Sequence, residues 1–299
     1  MVTPDRFRTL PCPTYPEIRL VVWGRRAAGR MIEEFRPDAV HIATEGPLGH
    51  AVRAWCLGRR VLFTTAYHTR FPEYVEARFA VPRTLTYALL RRFHRPSAAV
   101  MVSTPSIEAD LSKRGFTRLR RWSRGVDLDL FRPRDDHGFD LPRPILLYVG
   151  RVAVEKNVEA FLDLDVAGTK LVVGDGPMLD ALRRRYPHVH FAGARKGEDL
   201  ARHYAAADAF VFPSRTDTFG LVMLEALASG VPVAAFPVPG PIDILDGAEV
   251  GVLDENLARA VAAALTIPRE ACRAYAARFS WRDSTEQFLG NLRPFAGRP

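Results

Sequence analysis

The feature that most constrains this chain is a repeated alternation of a short apolar run, a turn, and a stretch in which apolar residues recur every three or four positions. The runs Ala39–Ala43, Val61–Thr65, Ala98–Ser103, Ile145–Val149, Lys170–Gly174, Val189–Ala192, Ala209–Pro213, Val231–Phe236 and Val250–Leu253 read as strands. Between them, Arg26–Arg36, Thr84–His94, Pro105–Arg114, Met178–Tyr186, Leu200–Ala206 and Asn256–Leu265 read as amphipathic helices. Most runs are apolar throughout rather than alternating, as in strands buried on both faces. Such strands alternating with helices make a parallel sheet covered by helices, so the expected fold class is α/β and doubly wound.

With 299 residues and roughly 150 per domain, two domains are expected. The break falls at Phe131–Pro144, where three prolines stand among charged residues, a composition suited to a linker. This divides the chain into 1–137, 138–280 and a tail, 281–299. The last helices, Arg269–Arg278 and Trp281–Leu292, follow the final strand, and the tail is expected to cross back to the first domain. A doubly wound domain normally opens with an apolar strand and a glycine-bearing turn. This chain opens Met-Val-Thr-Pro-Asp-Arg-Phe-Arg, and its first persuasive helix comes at about residue 25. The amino-terminal domain is therefore expected to lack its first βα unit, with the start codon downstream of the true one as the other explanation.

Composition removes several classes. With 47% hydrophobic residues the chain is not of the disordered kind, and no run approaches the roughly 18 apolar residues of a membrane span. Met1–Arg8 has no apolar core and does not read as a signal peptide. Cys12, Cys56 and Cys272 have neither disulfide nor zinc spacing and read as reduced thiols, which points to the cytoplasm. The net charge is +8, and among the cations only Lys113, Lys156, Lys170 and Lys196 are lysines. That skew to arginine reads as genomic base composition, yet the field still favours phosphate-bearing ligands or an anionic membrane surface. No helix-turn-helix, zinc finger or aromatic-studded basic strand accompanies it, so nucleic acid is not an expected partner.

Four stretches carry chemistry. In Tyr148-Val-Gly-Arg-Val-Ala-Val-Glu-Lys-Asn157 a strand ends at Gly150, and Arg151 and Lys156 bracket a loop before a helix. Two cations at the carboxyl edge of a sheet suit a diphosphate, although a solvated surface loop would read the same way. In Ser214–Ala235, Asp217 precedes a helix from about Phe219 to Ser229. Asp217 can cap that helix or accept sugar hydroxyls, and the amides of Phe219, Gly220 and Leu221 can face phosphate or hexose oxygens. Glu225 lies beside the apolar stripe of Leu221, Leu224 and Ala228, where a carboxylate must find donors. Ribose hydroxyls or a structural ion pair would supply them. Gly174-Asp175-Gly176-Pro177 makes a tight turn open to close backbone approach, or simply a strand-to-helix turn with Pro177 at the first helical position. In the first domain, His68 follows a buried strand within Ala66–Tyr74, a loop poised to meet a substrate. His41 lies within a strand and reads as core.

Taken together, Gly150-Arg151 with Lys156-Asn157, Gly174-Asp-Gly-Pro177, Arg124-Gly-Val-Asp127, and Asp217 to Glu225 with Gly230-Val-Pro-Val233 resemble the family-4 retaining glycosyltransferases. His68-Thr-Arg-Phe-Pro and Thr216-Asp-Thr-Phe-Gly-Leu-Val look most like a subgroup of bacterial α-mannosyltransferases and sulfoquinovosyl- or glucosyl-lipid synthases. The resemblance implies the GT-B fold, two Rossmann-like domains facing across a cleft. It also implies transfer of a hexose from a nucleoside-diphosphate sugar to a lipid or glycan hydroxyl, with no cofactor and no metal. On that basis Arg151 and Lys156 bind the donor diphosphate, Glu225 holds the ribose, and Asp217 touches the donor hexose. Asp217 stands where the family usually has glutamate. His68 approaches the reacting sugar. Two alternatives stay open: a sugar-nucleotide epimerase on the same fold, and a truncated, non-catalytic nucleotide-sugar-binding subunit. Peripheral contact with an anionic membrane is a further expectation, drawn from Arg91, Arg92 and Arg95 beside Leu85, Leu89, Leu90 and Phe93.

Overall fold

The computed structural model describes residues 1–12, 15–22, 24–79, 81–135, 138–245 and 247–294. It divides into two compact units, Met1–Trp122 with Glu286–Pro299, and Ser123–Thr285. In the first, a hairpin of β1 (Thr9–Cys12) and β2 (Tyr15–Val21) precedes α1 (Arg25–Phe35), β3 (Val40–Ile42), α2 (Pro47–Arg59), β4 (Phe63–Tyr67), α3 (Phe71–Phe79), α4 (Arg83–His94), β5 (Ala99–Val102), α5 (Pro105–Lys113) and β6 (Leu119–Arg121). β3, β4, β5 and β6 form a parallel four-stranded sheet in that order, and the antiparallel hairpin is a separate sheet. The opening hairpin was not expected: Thr9–Val21 carries three prolines and no continuous apolar run, so neither strand pattern shows. Also unexpected are α2, whose buried Val52, Trp55 and Cys56 are masked by apolar residues on its other faces, and α3, which occupies part of what reads as a loop after β4.

β4 is buried over its whole length. Phe63 joins Ala28, Ile32 and Trp55 in one cluster, and Tyr67, at the other end of the strand, joins Tyr87, Leu90 and Ile107 in a second. Its Thr65 carries a polar thread through the core. Thr65 donates to Ser97 at 3.2 Å and meets His94 Nδ1 at 2.9 Å, while His94 Nε2 lies 3.1 Å from Glu45. Each buried polar atom in this thread thus has a partner, as burial requires.

The second unit contains β7 (Ile145–Val149), α6 (Val158–Leu162), β8 (Thr169–Val173), α7 (Leu179–Arg185), β9 (His190–Gly193), α8 (Gly197–Ala206), β10 (Ala209–Phe212), α9 (Leu221–Ala228), β11 (Val233–Ala235), α10 (Pro241–Leu245), β12 (Gly251–Leu253), α11 (Leu257–Ala264) and α12 (Arg269–Ala276). Its six strands are parallel in the order β12-β11-β10-β7-β8-β9. The strand order reverses between β7 and β10, the place where doubly wound sheets open a crevice at their carboxyl ends. Along β7, Ile145, Leu147 and Val149 enter one core and Leu146 and Tyr148 the other, which accounts for the absence of alternation in the sequence. The helix α13 (Trp281–Asn291) runs from the second unit into the Glu286–Pro299 segment grouped with the first.

The boundary between units falls at Trp122–Ser123, ahead of the expected break at residue 137. The reason is packing. Val126 and Phe131 are buried in the second unit's core, Leu128, Leu130, Phe139 and Leu141 lie against it, and Arg273 donates to the carbonyls of Phe131 and Leu128. The proline-rich stretch is therefore mostly docked chain rather than a free linker; its Asp136 and His137 lie outside the described residues.

Candidate functional site

The carboxyl ends of β7 and β10 carry the candidate site. After Gly150, Arg151 begins a loop that closes in a single 3₁₀ turn, Val154–Lys156. The buried Tyr148 hydroxyl donates to the Arg151 carbonyl at 2.7 Å and so fixes the base of this loop. Burial first, then the negative charges of Asp217 and Glu155, push that phenol well above its ordinary range, so it stays a donor. Asn157, left-handed at φ 53°, sends its side-chain amide to the Pro213 carbonyl at the end of β10, 3.0 Å away. Thr216 donates to the Glu155 carbonyl at 3.1 Å. Two side-chain bonds therefore tie the β7 loop to the β10 loop across the point where the strand order reverses.

Lys156 Nζ meets both carboxylate oxygens of Asp217, at 2.9 and 2.7 Å, with both side chains largely buried. This answers one of the alternatives: Asp217 does not cap α9. The capping position belongs to Gly220, at φ 87°, with no side-chain cap. At that φ a side chain would be strained, which is why glycine occupies the turn. The helix ends in a Gly230 turn, where Gly230 N donates to Leu227 O and Val231 N to Ala226 O. Pro232 precedes β11, and its carbonyl accepts from Phe210, which resolves why a proline is tolerated there.

A cavity of about 170 Å³ opens at this point, lined by Gly150, Arg151, Lys156, Ser214, Asp217 and Gly220 together with Tyr148, Phe212, Leu221 and Val222. The structure thus brings Gly150, Arg151, Lys156, Asp217, Gly220 and Leu221 together within one unit. Phe219 is buried beside them. Ser214 is a residue that sequence reasoning missed. It is 1% exposed, and its hydroxyl has no hydrogen-bond partner, so a polar ligand group would satisfy it. Tyr148 and Asn157 stand at the two ends of the Arg151–Lys156 motif, and nothing in the sequence marks their anchoring role. In sequence, a serine ending an apolar run carries no distinguishing signal.

Glu225 is not part of the cavity wall. One turn down α9 it accepts a 2.7 Å hydrogen bond from the buried Tyr204 hydroxyl on α8. Burial raises the Glu225 pKa, and the Tyr204 bond offsets only part of that. The donor that sequence reasoning demanded for this carboxylate is thus a tyrosine of the same unit. Gly174, Asp175 and Gly176 also differ from expectation. A Cβ on Gly174 would occupy the Gly150 carbonyl, and one on Gly176 would strike Val152 O. Val152 N donates to Asp175 O at 2.9 Å. The close backbone approach that these glycines allow is to the Arg151 loop itself, which they buttress. Pro177 lies ahead of α7 rather than at its first position, because the helix begins at Leu179 after Met178.

His68, in the first unit, is half-buried at the end of β4, its ring 5.4 Å from that of Trp122. His41 packs edge-on against the same Trp122 and Phe288, and its Nδ1 lies 2.9 Å from Thr64 Oγ1. Burial lowers the His41 pKa to about 4, so this ring is neutral. On α4, Leu90 and Phe93 are buried, whereas Leu85 and Leu89 are 55% and 60% exposed. Among the described residues, no helix is long and apolar enough to cross a membrane, and no group of three or more His, Cys, Asp or Glu side chains is placed to hold a metal ion.

With this geometry in hand, comparison with known proteins gives a consistent result. Residues 143–267 match the family model described as Glycosyl transferases group 1, and residues 2–130 the one described as Glycosyltransferase Family 4. A sulfoquinovosyl transferase of Arabidopsis thaliana is 32% identical over 260 residues, covering 80% of this chain and 50% of that protein. A GDP-mannose-dependent alpha-mannosyltransferase of Mycolicibacterium smegmatis is 32% identical over 263 residues, covering 83% of this chain and 69% of its own length. The chain thus spans about half to two thirds of the curated relatives it matches. Among solved structures, a sucrose-phosphate synthase from Thermosynechococcus elongatus superposes with a TM-score of 0.76 at 26% identity, covering 89% of this chain and 75% of that one.

Proposed function

Because this chain belongs to the family 4, group 1 glycosyltransferases, with the Rossmann-like units of the GT-B fold, we propose that it moves a hexose from a nucleoside-diphosphate sugar to a hydroxyl of a lipid or glycan, retaining the configuration at the anomeric carbon. The bond between that carbon and the diphosphate breaks while the acceptor oxygen bonds to the same face. The acceptor's proton leaves with the nucleoside diphosphate.

The observation that carries this reading is the convergence of Arg151, Lys156 and the unsatisfied Ser214 hydroxyl on one cavity at the β7–β10 switch point. Negative charge grows on the diphosphate as it departs, and fixed cations in a partly dry site stabilise that charge without reorganising. In this reading they do the work that a divalent metal does elsewhere, so the reaction is metal-independent. Asp217, held by Lys156, is oriented to accept from hexose hydroxyls; the assignment of Glu225, which lies outside the cavity wall, to the ribose rests on the family resemblance. The assignment of His68 to the reacting sugar rests on the family resemblance. The exposed Leu85 and Leu89 next to Arg91 and Arg92 on α4 support peripheral contact with an anionic membrane at the cytoplasmic face, where a lipid acceptor would be met.

The test is a screen of the purified chain against a panel of nucleotide sugars, with and without lipid and glycan acceptors, in buffer containing a chelator. Release of nucleoside diphosphate that requires both one donor and an acceptor supports the reading. Donor conversion without any acceptor would instead indicate an epimerase, and binding without turnover a non-catalytic subunit.

A further inference from the structure

A second cavity, of about 590 Å³, lies wholly within the first unit. It is bounded by Arg91, Arg92, His94 and Arg95 at the end of α4, and by Val100 and Phe116. α4 leads into the start of β5, and Phe116 precedes β6. The cavity therefore sits at the amino-terminal edge of the parallel sheet, the edge opposite the one that β4 presents to His68.

Cations at a helix carboxyl end have an ordinary explanation, since they can bond the last carbonyls. Here that role is already filled. Arg53 donates to the Phe93 carbonyl at 2.8 Å and to the Arg92 carbonyl at 3.0 Å, and Arg118 bonds the Arg95 carbonyl. Arg91 donates to the Arg114 carbonyl at 2.8 Å. The side chains of Arg92 and Arg95 make no hydrogen bond or ion pair among the described residues, and none of Arg53, Arg91, Arg92, Arg95 and Arg118 pairs with a carboxylate there. Asp110 is paired with Arg114 and Glu108 with Arg121, while Glu45 faces His94 on the cavity wall and pairs with none of these arginines. Like charges gathered without counter-charge repel one another, and Arg53 registers this: burial, then the charge of Arg92, lowers its pKa.

We propose that this cavity binds a phosphate group, with Arg92 and Arg95 as its ligands. Guanidinium is suited to phosphate because its planar donors engage two oxygens at once. The cavity is large enough to admit the group with its substituent, either a soluble phosphate ester or the headgroup of an anionic lipid. The site is separate from the donor site; its lipid-headgroup form rests on the membrane contact proposed above, with which it shares Arg92, and its soluble-phosphate form does not.

The test compares wild type, Arg92→Gln/Arg95→Gln and Arg151→Ala/Lys156→Ala by calorimetric titration with inorganic phosphate. Flotation follows, on vesicles of phosphatidylcholine alone or with an equal share of phosphatidylglycerol. An unchanged unfolding midpoint shows that each variant is folded. Expected is a loss of about tenfold or more in phosphate affinity in the Arg92/Arg95 variant, in a component that the Arg151/Lys156 variant retains. Flotation on phosphatidylglycerol vesicles that also needs Arg92 and Arg95 identifies a lipid headgroup. Arginine-dependent titration without such flotation identifies a soluble phosphate. The proposal is overturned if neither phosphate binding nor flotation changes in the folded Arg92/Arg95 variant. Its failure leaves the donor site untouched, because that site is read out by the Arg151/Lys156 variant alone.

Discussion

Lys156 holds Asp217 by both carboxylate oxygens, at 2.9 and 2.7 Å, across the point where the strand order of the second unit reverses. The ammonium is thereby pinned at the mouth of the cavity before any ligand arrives, and the carboxylate is fixed beside it. Replacing Lys156 or Arg151 by alanine is expected to raise the transfer barrier by about 2–4 kcal/mol, the usual cost of one fixed electrostatic donor. Steady-state kinetics on the active donor would show it as a fall in kcat larger than the rise in KM. Turnover within a factor of two of wild type in either variant would remove that residue from the donor site.

Tyr204 and Glu225 are linked by a 2.7 Å hydrogen bond, and the carboxyl pKa is raised by burial. A raised carboxyl pKa means that the folded state holds its proton more tightly than the unfolded state. This group's contribution is therefore fully present below the unfolded value and is lost as pH rises through the folded one. Glu225→Gln is expected to be as stable as wild type or more so at neutral pH, with the gap closing in acid. The same variant is expected to bind nucleotide sugar about tenfold more weakly if Glu225 serves the ribose. Unfolding curves at two pH values and a binding titration separate the effects. Unchanged affinity would leave Glu225 a structural partner of Tyr204 only.

The second unit was the more legible half of the chain. Its central strands β7, β8, β10 and β11 are buried runs, and Gly150 and Gly174 stand where strands end, so these strands and the ring of motifs around the switch point could be read from local pattern. Two things were hidden. Whether Glu225 faces a ligand or a neighbouring helix depends on Tyr204, twenty-one positions away on α8, and no local spacing encodes that. Likewise, the Gly174 turn reads as a cradle for a nucleotide, whereas its missing Cβ makes room for the Gly150 carbonyl. In the first unit the hairpin Thr9–Val21 escaped because it has no continuous apolar run, and the helix Pro47–Arg59 because its apolar residues are spread over several faces; tertiary packing, not propensity, decides them.

His41 offers a pH prediction of opposite sign. Its pKa is lowered to about 4 by burial, against an ordinary 6.5. Between those values the unfolded chain takes up a proton that the folded chain refuses, so stability falls as pH drops from about 6.5 toward about 4. Allowing for partial exposure of the ring, the loss is about 1–2 kcal/mol. His41→Gln is expected to flatten this acid limb. A pH series of urea midpoints on the two proteins measures it, and parallel curves would assign the acid sensitivity to other groups.

Leu85 and Leu89 lie exposed one turn apart on α4, followed by Arg91 and Arg92. If this face meets a membrane, Leu85→Glu/Leu89→Glu is expected to abolish flotation on phosphatidylglycerol vesicles at low salt while leaving donor binding unchanged, because each leucine removes about 2 kcal/mol of apolar burial and each glutamate adds repulsion. Flotation equal to wild type would show that this face stays in water.

Gly174 and Gly58 make a matched pair for the buttressing role assigned to the Gly174 turn. Gly174 has φ 148°, a conformation that side chains rarely adopt, and an added Cβ would meet the Gly150 carbonyl, which is backbone and cannot swing aside. Gly174→Ala must therefore push the Arg151 loop away from β8, at a cost of about 2–4 kcal/mol in stability. Donor affinity should be lost even at temperatures where the variant remains folded. Gly58 sits in α2 with nothing within 4 Å of the same atom and an ordinary φ, so Gly58→Ala should stabilise by about 0.5–1 kcal/mol through helix propensity and leave donor binding alone. Thermal unfolding and nucleotide titration of both variants make the comparison. If Gly174→Ala folds and binds like wild type, the Gly174 turn does not buttress the Arg151 loop, and the Tyr148 hydrogen bond and the ties to the β10 loop suffice to hold it.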